Sequence, residues 1–210
     1  DSYGSRGLGD VYKRQFIDPV RFIGNHSSGK MGFAIAEEAA SRGASVTLIT
    51  GPVHLSTPKQ VYRKDVVSAE EMKNAILHYF DDSDVLIMAA AVADYKPKVV
   101  SDEKIKKKNA ELSLELVKTD DILKEIVKNK KQQFVVGFAL ETNNEQENAK
   151  QKLVHKNLDA IVLNSLNDTG AGFGHDTNKV TIITANEEKT YTLKSKKEVA
   201  VDILNFIEGC

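Results

Sequence analysis

Apolar residues mark one helical face between Met31 and Ala40, where Met31, Ala34, Ile35, Ala39 and Ala40 recur at three-and-four spacing. Ser27 and Ser28 offer N-caps for this helix and Gly43 a stop. A β-branched strand over Ser45–Ile49 ends at Gly51-Pro52, and Gln60–Val67 alternates weakly enough to be a second, short strand. Ser68 followed three residues later by Glu71 predicts a capping box ahead of a helix over Ala69–Phe80. The run Val85–Ala91 is apolar on both faces, as in a strand covered from two sides. The pattern continues with a helix over Asp121–Lys128, a strand over Phe134–Ala139, a helix over Glu145–His155 and a strand over Ala160–Leu163. Such alternation implies an α/β fold around a mainly parallel sheet. Near the end, Val180–Thr184 and Thr190–Leu193 read as a β-hairpin around Asn186-Glu187-Glu188, before a closing helix over Lys196–Ile207. Asp1–Gln15 shows neither strand alternation nor a helical stripe. That segment is therefore read as a non-native N-terminal extension outside the fold, leaving 16–210 as the folded domain.

A chain of 210 residues, 41% hydrophobic, can bury one full core. Its 29 Lys and Arg balance 30 Asp and Glu, so no overall field favours nucleic acid or an anionic membrane, and attraction to phosphate must be local. No apolar stretch is long enough to span a bilayer. Cys210 is the only cysteine, which rules out an internal disulfide and points to a reducing, cytoplasmic setting. The five histidines show no metal-ligand spacing, so no structural zinc is expected.

Four segments carry candidate chemistry. Asp18-Pro19-Val20-Arg21 leads through Asn25 and Ser27-Ser28-Gly29 into the first helix, and small residues at a helix N-terminus suit a phosphate or carboxylate. Gly24, Gly29 and Lys30 match P-loop spacing, yet Met31 stands where a hydroxyl must hold Mg²⁺, so a P-loop is not expected. Arg21 and Asn25 can bind a phosphate and stabilise an oxyanion. In the second segment, Ala90 and Ala91 close an apolar strand and let a ligand approach the backbone, with Asp94 placed for a metal or a ligand hydroxyl. The third holds Lys104, Lys106 and Lys107 in a run of four lysines within five positions, suited to a polyphosphate. The fourth joins Asp121 and Ile122, Phe138 at a strand end, and Lys152 and Lys156 one helical turn apart.

Together, Asp18 to Gly32, the Ala-Ala-Val-Ala-Asp-Tyr run, Lys104 to Lys107, Val136-Gly137-Phe138-Ala139 and Lys156-Asn157-Leu158-Asp159 resemble the phosphopantothenoylcysteine synthetase family, ligases of coenzyme A biosynthesis. The resemblance implies a Rossmann-like three-layer fold, a homodimer, and amide formation between 4′-phosphopantothenate and cysteine through an acyl-cytidylate made from CTP. By similarity, Asp94, Lys104, Phe138, Lys152, Lys156 and the 119–122 segment contact the nucleotide, with Mg²⁺ balancing its charge. Asn25 is implied to hold the acyl-cytidylate, while Arg21 and the Ser27–Gly29 turn hold either the substrate phosphate or the acyl phosphate. The family often carries a flavin-dependent decarboxylase domain upstream.

This chain departs from the family's pattern twice. Thr119-Asp120-Asp121-Ile122 replaces Asn-Pro-Asp-Ile, and Asp1–Gln15 stands where an apolar strand and a Gly/Thr turn are expected, so that strand is read as missing. The competing readings are a Rossmann-like NAD(P)-dependent reductase, disfavoured because no Gly-x-Gly-x-x-Gly follows a strand, and a nucleotide-binding domain without catalysis.

Overall fold

The computed structural model describes residues 5–10, 15–25, 27–90, 93–106, 112–165 and 175–210, with backbone alone at 5–10. Ala91 and Lys107, both expected at the site, lie outside the described residues. In chain order the strands are β1 (Ser5–Asp10), β2 (Gln15–Phe16), β3 (Phe22–Ile23), β4 (Ser45–Thr50), β5 (Val61–Asp65), β6 (Ser83–Met88) and β7 (Tyr95–Pro97). They continue as β8 (Leu116–Lys118), β9 (Phe134–Glu141), β10 (Ala160–Ser165), β11 (Thr177–Asn178), β12 (Val180–Ile183), β13 (Glu188–Thr190) and β14 (Lys194–Ser195). The helices are α1 (Lys30–Ser41), α2 (Ala69–Phe80), α3 (Ile122–Ile126), α4 (Glu145–His155) and α5 (Lys196–Glu208).

The main sheet runs β13-β12-β10-β9-β6-β1-β4-β5. From β10 to β5 every pairing is parallel, and β12 and β13 add an antiparallel edge. Strands buried on both faces divide their side chains by the two-residue pleat. Val85 and Ile87 of β6 join α1 and α5 in one core, while Leu86 and Met88 join α2, α3 and α4 in the other. The result is the expected three-layer α/β arrangement with a C-terminal hairpin. That hairpin's second strand begins earlier than its β-branched residues suggest, because the Thr184 hydroxyl accepts from Asn186 N and Glu187 N and closes a tighter turn.

One expectation is corrected here. Ser5–Asp10 lies inside the fold, as a parallel strand between β4 and β6. Strand pairing uses backbone groups, and an empty place between two interior strands would leave both rows of N–H and C=O groups unpaired. The sequence Ser-Arg-Gly-Leu-Gly-Asp therefore gives little warning of it.

Other unforeseen strands build two small accessory units. β2 and β3 form a hairpin around Asp18–Arg21, and β7 pairs antiparallel with β8 in a ribbon carrying the segment between them. No helix among the described residues is long and apolar enough to cross a membrane.

Helix ends follow local chemistry. Ser68 Oγ accepts from Glu71 N at 3.1 Å, but the Glu71 carboxylate reaches back to Val67 N at 3.0 Å rather than to Ser68 N, so the predicted capping box is displaced by one residue. At the C-terminus of α4, Asn157 N donates to Val154 O at 3.1 Å and Leu158 N to Leu153 O at 3.0 Å, the paired bonds of a Schellman motif. Asn157 makes this turn at φ 46°, a left-handed conformation that a β-branched residue resists. Asn157→Val is expected to lower stability by about 1–2 kcal/mol, while Asn157→Gly preserves or raises it, as thermal denaturation of both variants would register.

Candidate functional site

Parallel strands present their carboxyl ends along one edge, and where neighbouring connections leave toward opposite faces a crevice opens. Here β1 and β6 flank that point. A cavity of about 130 Å³ lies at this edge, walled by Ser27 to Met31 at the start of α1 and by Ala89 and Ala90 just past β6. Phe138 to Leu140 close it from β9, and Asn164, Asn178 and Lys196 complete the wall. Gly29, not a serine, is the N-cap of α1; its φ of 78° is a left-handed turn open to glycine, and the first helical turn holds no acidic residue. That turn carries Ser27 inside, where it is buried, and leaves the positive end of the helix dipole facing the cavity. The expectation that Ser27 or Ser28 caps the helix is thereby replaced: both line the cavity instead.

Polar groups on the far wall are already ordered. Asn178, buried, donates from Nδ2 to Asn164 Oδ1 at 3.1 Å. Lys196, also buried, donates to His175 O at 2.6 Å, and Lys30 pairs with Asp176 at 2.6 Å, which holds the Asp176 carboxyl below the usual carboxylate range.

The Asp-Pro-Val-Arg segment proves to be a structural hub. Asp18 is fully buried; its Oδ1 accepts from Val20 N at 2.9 Å and Arg21 N at 2.8 Å, and its Oδ2 from Ile105 N at 3.1 Å and Arg21 Nε at 2.9 Å. The Arg21 guanidinium, together with the backbone donors, holds the Asp18 carboxyl far below its ordinary pKa against the opposing effect of burial. Arg21 Nη2 also donates to Ile105 O at 3.0 Å, so two of its nitrogens are engaged within the protein rather than presented to the cavity. Lys104 and Lys106 flank Ile105 and are exposed.

The other expected site residues distribute as follows. Asn25 is half-buried, and its carbonyl accepts from Ser27 N at 3.0 Å, directly ahead of the cavity wall. Asp94 is exposed on the connection from Ala90 to β7, and its carbonyl accepts from Thr119 N at 2.8 Å, drawing the 119–122 segment alongside. Asp121 caps α3 by accepting from Lys124 N and pairs with Lys156 at 2.8 Å; its carboxyl is lowered by that lysine and the backbone donors against the opposing effect of burial. Ile122, expected to touch nucleotide, is almost wholly core, 2% exposed. Lys152 pairs with Glu141 at the end of β9. Phe138 packs in the α1 layer and α4 belongs to the opposite one, so the sheet separates Phe138 from the two lysines that the sequence grouped with it.

A second, larger cavity of about 380 Å³ adjoins the 119–122 segment, lined by Thr119, Asp120 and Ile122 with Lys73 and Lys96. No group of three or more His, Cys, Asp or Glu side chains able to hold a metal occurs among the described residues. Asn164, Asn178 and Lys196 were not foreseen. Asn164 ends a parallel strand, a place where ligands bind, and so had a signal; Asn178 and Lys196 arrive from distant segments and had none.

Comparison with known proteins gives this geometry a context. The family described as the DNA/pantothenate metabolism flavoprotein C-terminal domain matches residues 13–210. A Haemophilus influenzae protein named coenzyme A biosynthesis bifunctional protein CoaBC is 49% identical over 195 residues, 92% of this chain and 48% of that protein. A protein of an unknown prokaryotic organism, named cysteine/cysteine sulfinic acid decarboxylase, is 54% identical over 194 residues, 91% of this chain and 54% of that protein. The chain thus spans about half the length of these curated relatives. A crystal structure of the C-terminal domain of a CoaBC protein superposes with a TM-score of 0.83 at 41% identity, covering 98% of this chain and 94% of that one. The chain therefore belongs to the DNA/pantothenate metabolism flavoprotein C-terminal domain family.

Proposed function

We propose that this domain joins 4′-phosphopantothenate to cysteine, using CTP, within coenzyme A biosynthesis. The observation that carries the reading is the edge cavity, which brings Ser27–Gly29, Ala90 and Phe138, three separate segments of the family resemblance, onto one wall. The CoaBC names of the relatives agree with it, and their double length supports a flavin-dependent decarboxylase domain upstream in the native protein. The decarboxylase name of one relative describes a protein of which this chain covers 54%.

The chemistry runs in two displacements. A carboxylate oxygen of phosphopantothenate attacks the α-phosphorus of CTP, and pyrophosphate leaves, giving an acyl-cytidylate. The cysteine amine then attacks the acyl carbon, the C–O bond to CMP breaks, and the ammonium proton is lost. Binding both reactants against one wall replaces a bimolecular encounter with an oriented one. Ser28, Gly29 and the α1 dipole suit the anionic centre, and Asn25, just ahead of that wall, holds the acyl-cytidylate for the second step. Phe138 offers an aromatic face for the base. Lys152 and Lys156 are paired with carboxylates at partly exposed positions, and such pairs contribute only about 0–1 kcal/mol, so a nucleotide can draw either lysine away at small cost. Mg²⁺ bound with a triphosphate takes one or two protein carboxylates and completes its shell from phosphates and water, and exposed Asp94 fits such a ligand. Such an ion would supply charge neutralisation for the triphosphate.

A homodimer is part of the same reading. The β2–β3 hairpin and β7–β8 ribbon concentrate exposed apolar side chains, among them Val20 at 60%, Val99 at 76% and Leu116 at 42% exposure, and a second copy of the chain would cover them.

Incubation with phosphopantothenate, CTP and Mg²⁺ is expected to yield pyrophosphate and acyl-cytidylate by mass spectrometry, with CMP and the amide appearing only when cysteine is added. Asn25→Asp should accumulate the acyl-cytidylate and slow amide formation by about 100-fold or more; unchanged amide formation would remove Asn25 from the second step. Paired Val20→Asp and Leu116→Asp substitutions should shift the chain from dimer to monomer in analytical ultracentrifugation.

A further inference from the structure

The ligase reading leaves Asp18 without a role, yet it is a fully buried carboxylate reached by donors from both its own hairpin and a loop 87 residues further on. Its two oxygens divide the work. Oδ1 shapes the β2–β3 turn through Val20 N and Arg21 N, while Oδ2 receives Ile105 N. Arg21, held by the same Oδ2, takes Ile105 O, so Ile105 is gripped at its N–H and its C=O. A further backbone bond, Ser101 N to Ile17 O at 3.0 Å, fastens the same loop to the same hairpin. The residues on either side of Ile105 are the exposed Lys104 and Lys106, and the hairpin continues through Asn25 into the cavity wall at Ser27. One element thus carries the rim of the cavity and the anchor of the lysine loop.

We infer that Asp18 is a positioning residue for the nucleotide: with Arg21 it clamps Ile105 and thereby fixes Lys104 and Lys106 beside the hairpin that leads into the cavity wall, from where they reach the polyphosphate. The inference rests on the proposed function for the identity of the ligand and on the hydrogen bonds alone for the clamp. Lysine has a long flexible stem, and anchoring its backbone lowers the conformational entropy lost when a phosphate is bound. Asparagine cannot replace Asp18, because each carboxylate oxygen faces donors from two groups and either amide orientation sets an NH₂ against them.

The test is a double-mutant cycle on CTP–Mg²⁺ binding measured by calorimetry. Asp18→Asn should weaken binding about tenfold in the unaltered chain and leave it nearly unchanged in a Lys104→Ala/Lys106→Ala background, since the effect passes through those lysines. Full additivity of the two, or unaltered affinity in Asp18→Asn, overturns the inference. Ile105→Pro deletes the N–H that Oδ2 receives while leaving Asp18 and its bonds to Val20 N and Arg21 N in place; it should lose affinity to a similar extent, and retained affinity there overturns the inference equally. If the unaltered chain binds no CTP, the ligase reading falls, and trypsin judges the clamp alone: cleavage after Lys106 should accelerate in Asp18→Asn, and equal rates refute it.

Discussion

Everything at the site depends on strands that share one direction. Because β4, β5, β6, β9 and β10 run parallel with β1, their carboxyl ends fall along a single edge, and the loops leaving them are brought together however far apart they lie in the chain. The two apolar cores hold that geometry by burying both faces of the sheet, which leaves the strand ends as the place where polar groups meet a crevice. Gly29 then turns the chain so that α1 aims its amino end into the crevice.

The elements that were legible had a local physical cause. α4 was foreseen to the residue, because its polar first turn and the turn residues after it give a start and a stop. The interior strands β6, β9 and β10 showed as mainly apolar runs. β1 was illegible because its place is defined by backbone pairing, and the family match starting at residue 13 lies beyond it. β7 and β8 hold three residues each and pair across a separation that no short-range pattern reports.

The site was legible to the extent that its residues sit next to the glycines and strand ends which give sequence signals. Ser27 to Gly29, Ala90 and Phe138 follow that rule and line one cavity. Arg21 shows the limit. A guanidinium beside a glycine turn suggests an anion, but the buried carboxylate three residues earlier takes two of its nitrogens, and the partner completing the arrangement comes from 84 residues away. Lys30 and Asp176 are separated by 146 positions and Asn178 and Met31 by 147, distances over which only the folded chain can establish contact.

The two ends of the main sheet are also instructive. β5 and β13 are its outermost strands, and their solvent-facing positions carry Lys64 and Asp65 on one side and Glu188 and Lys189 on the other. An open strand with alternating charges is a poor template for a stranger's backbone, since each added strand must desolvate or oppose those groups. Charged side chains at both margins thus work against indefinite growth of the sheet by edge-to-edge pairing.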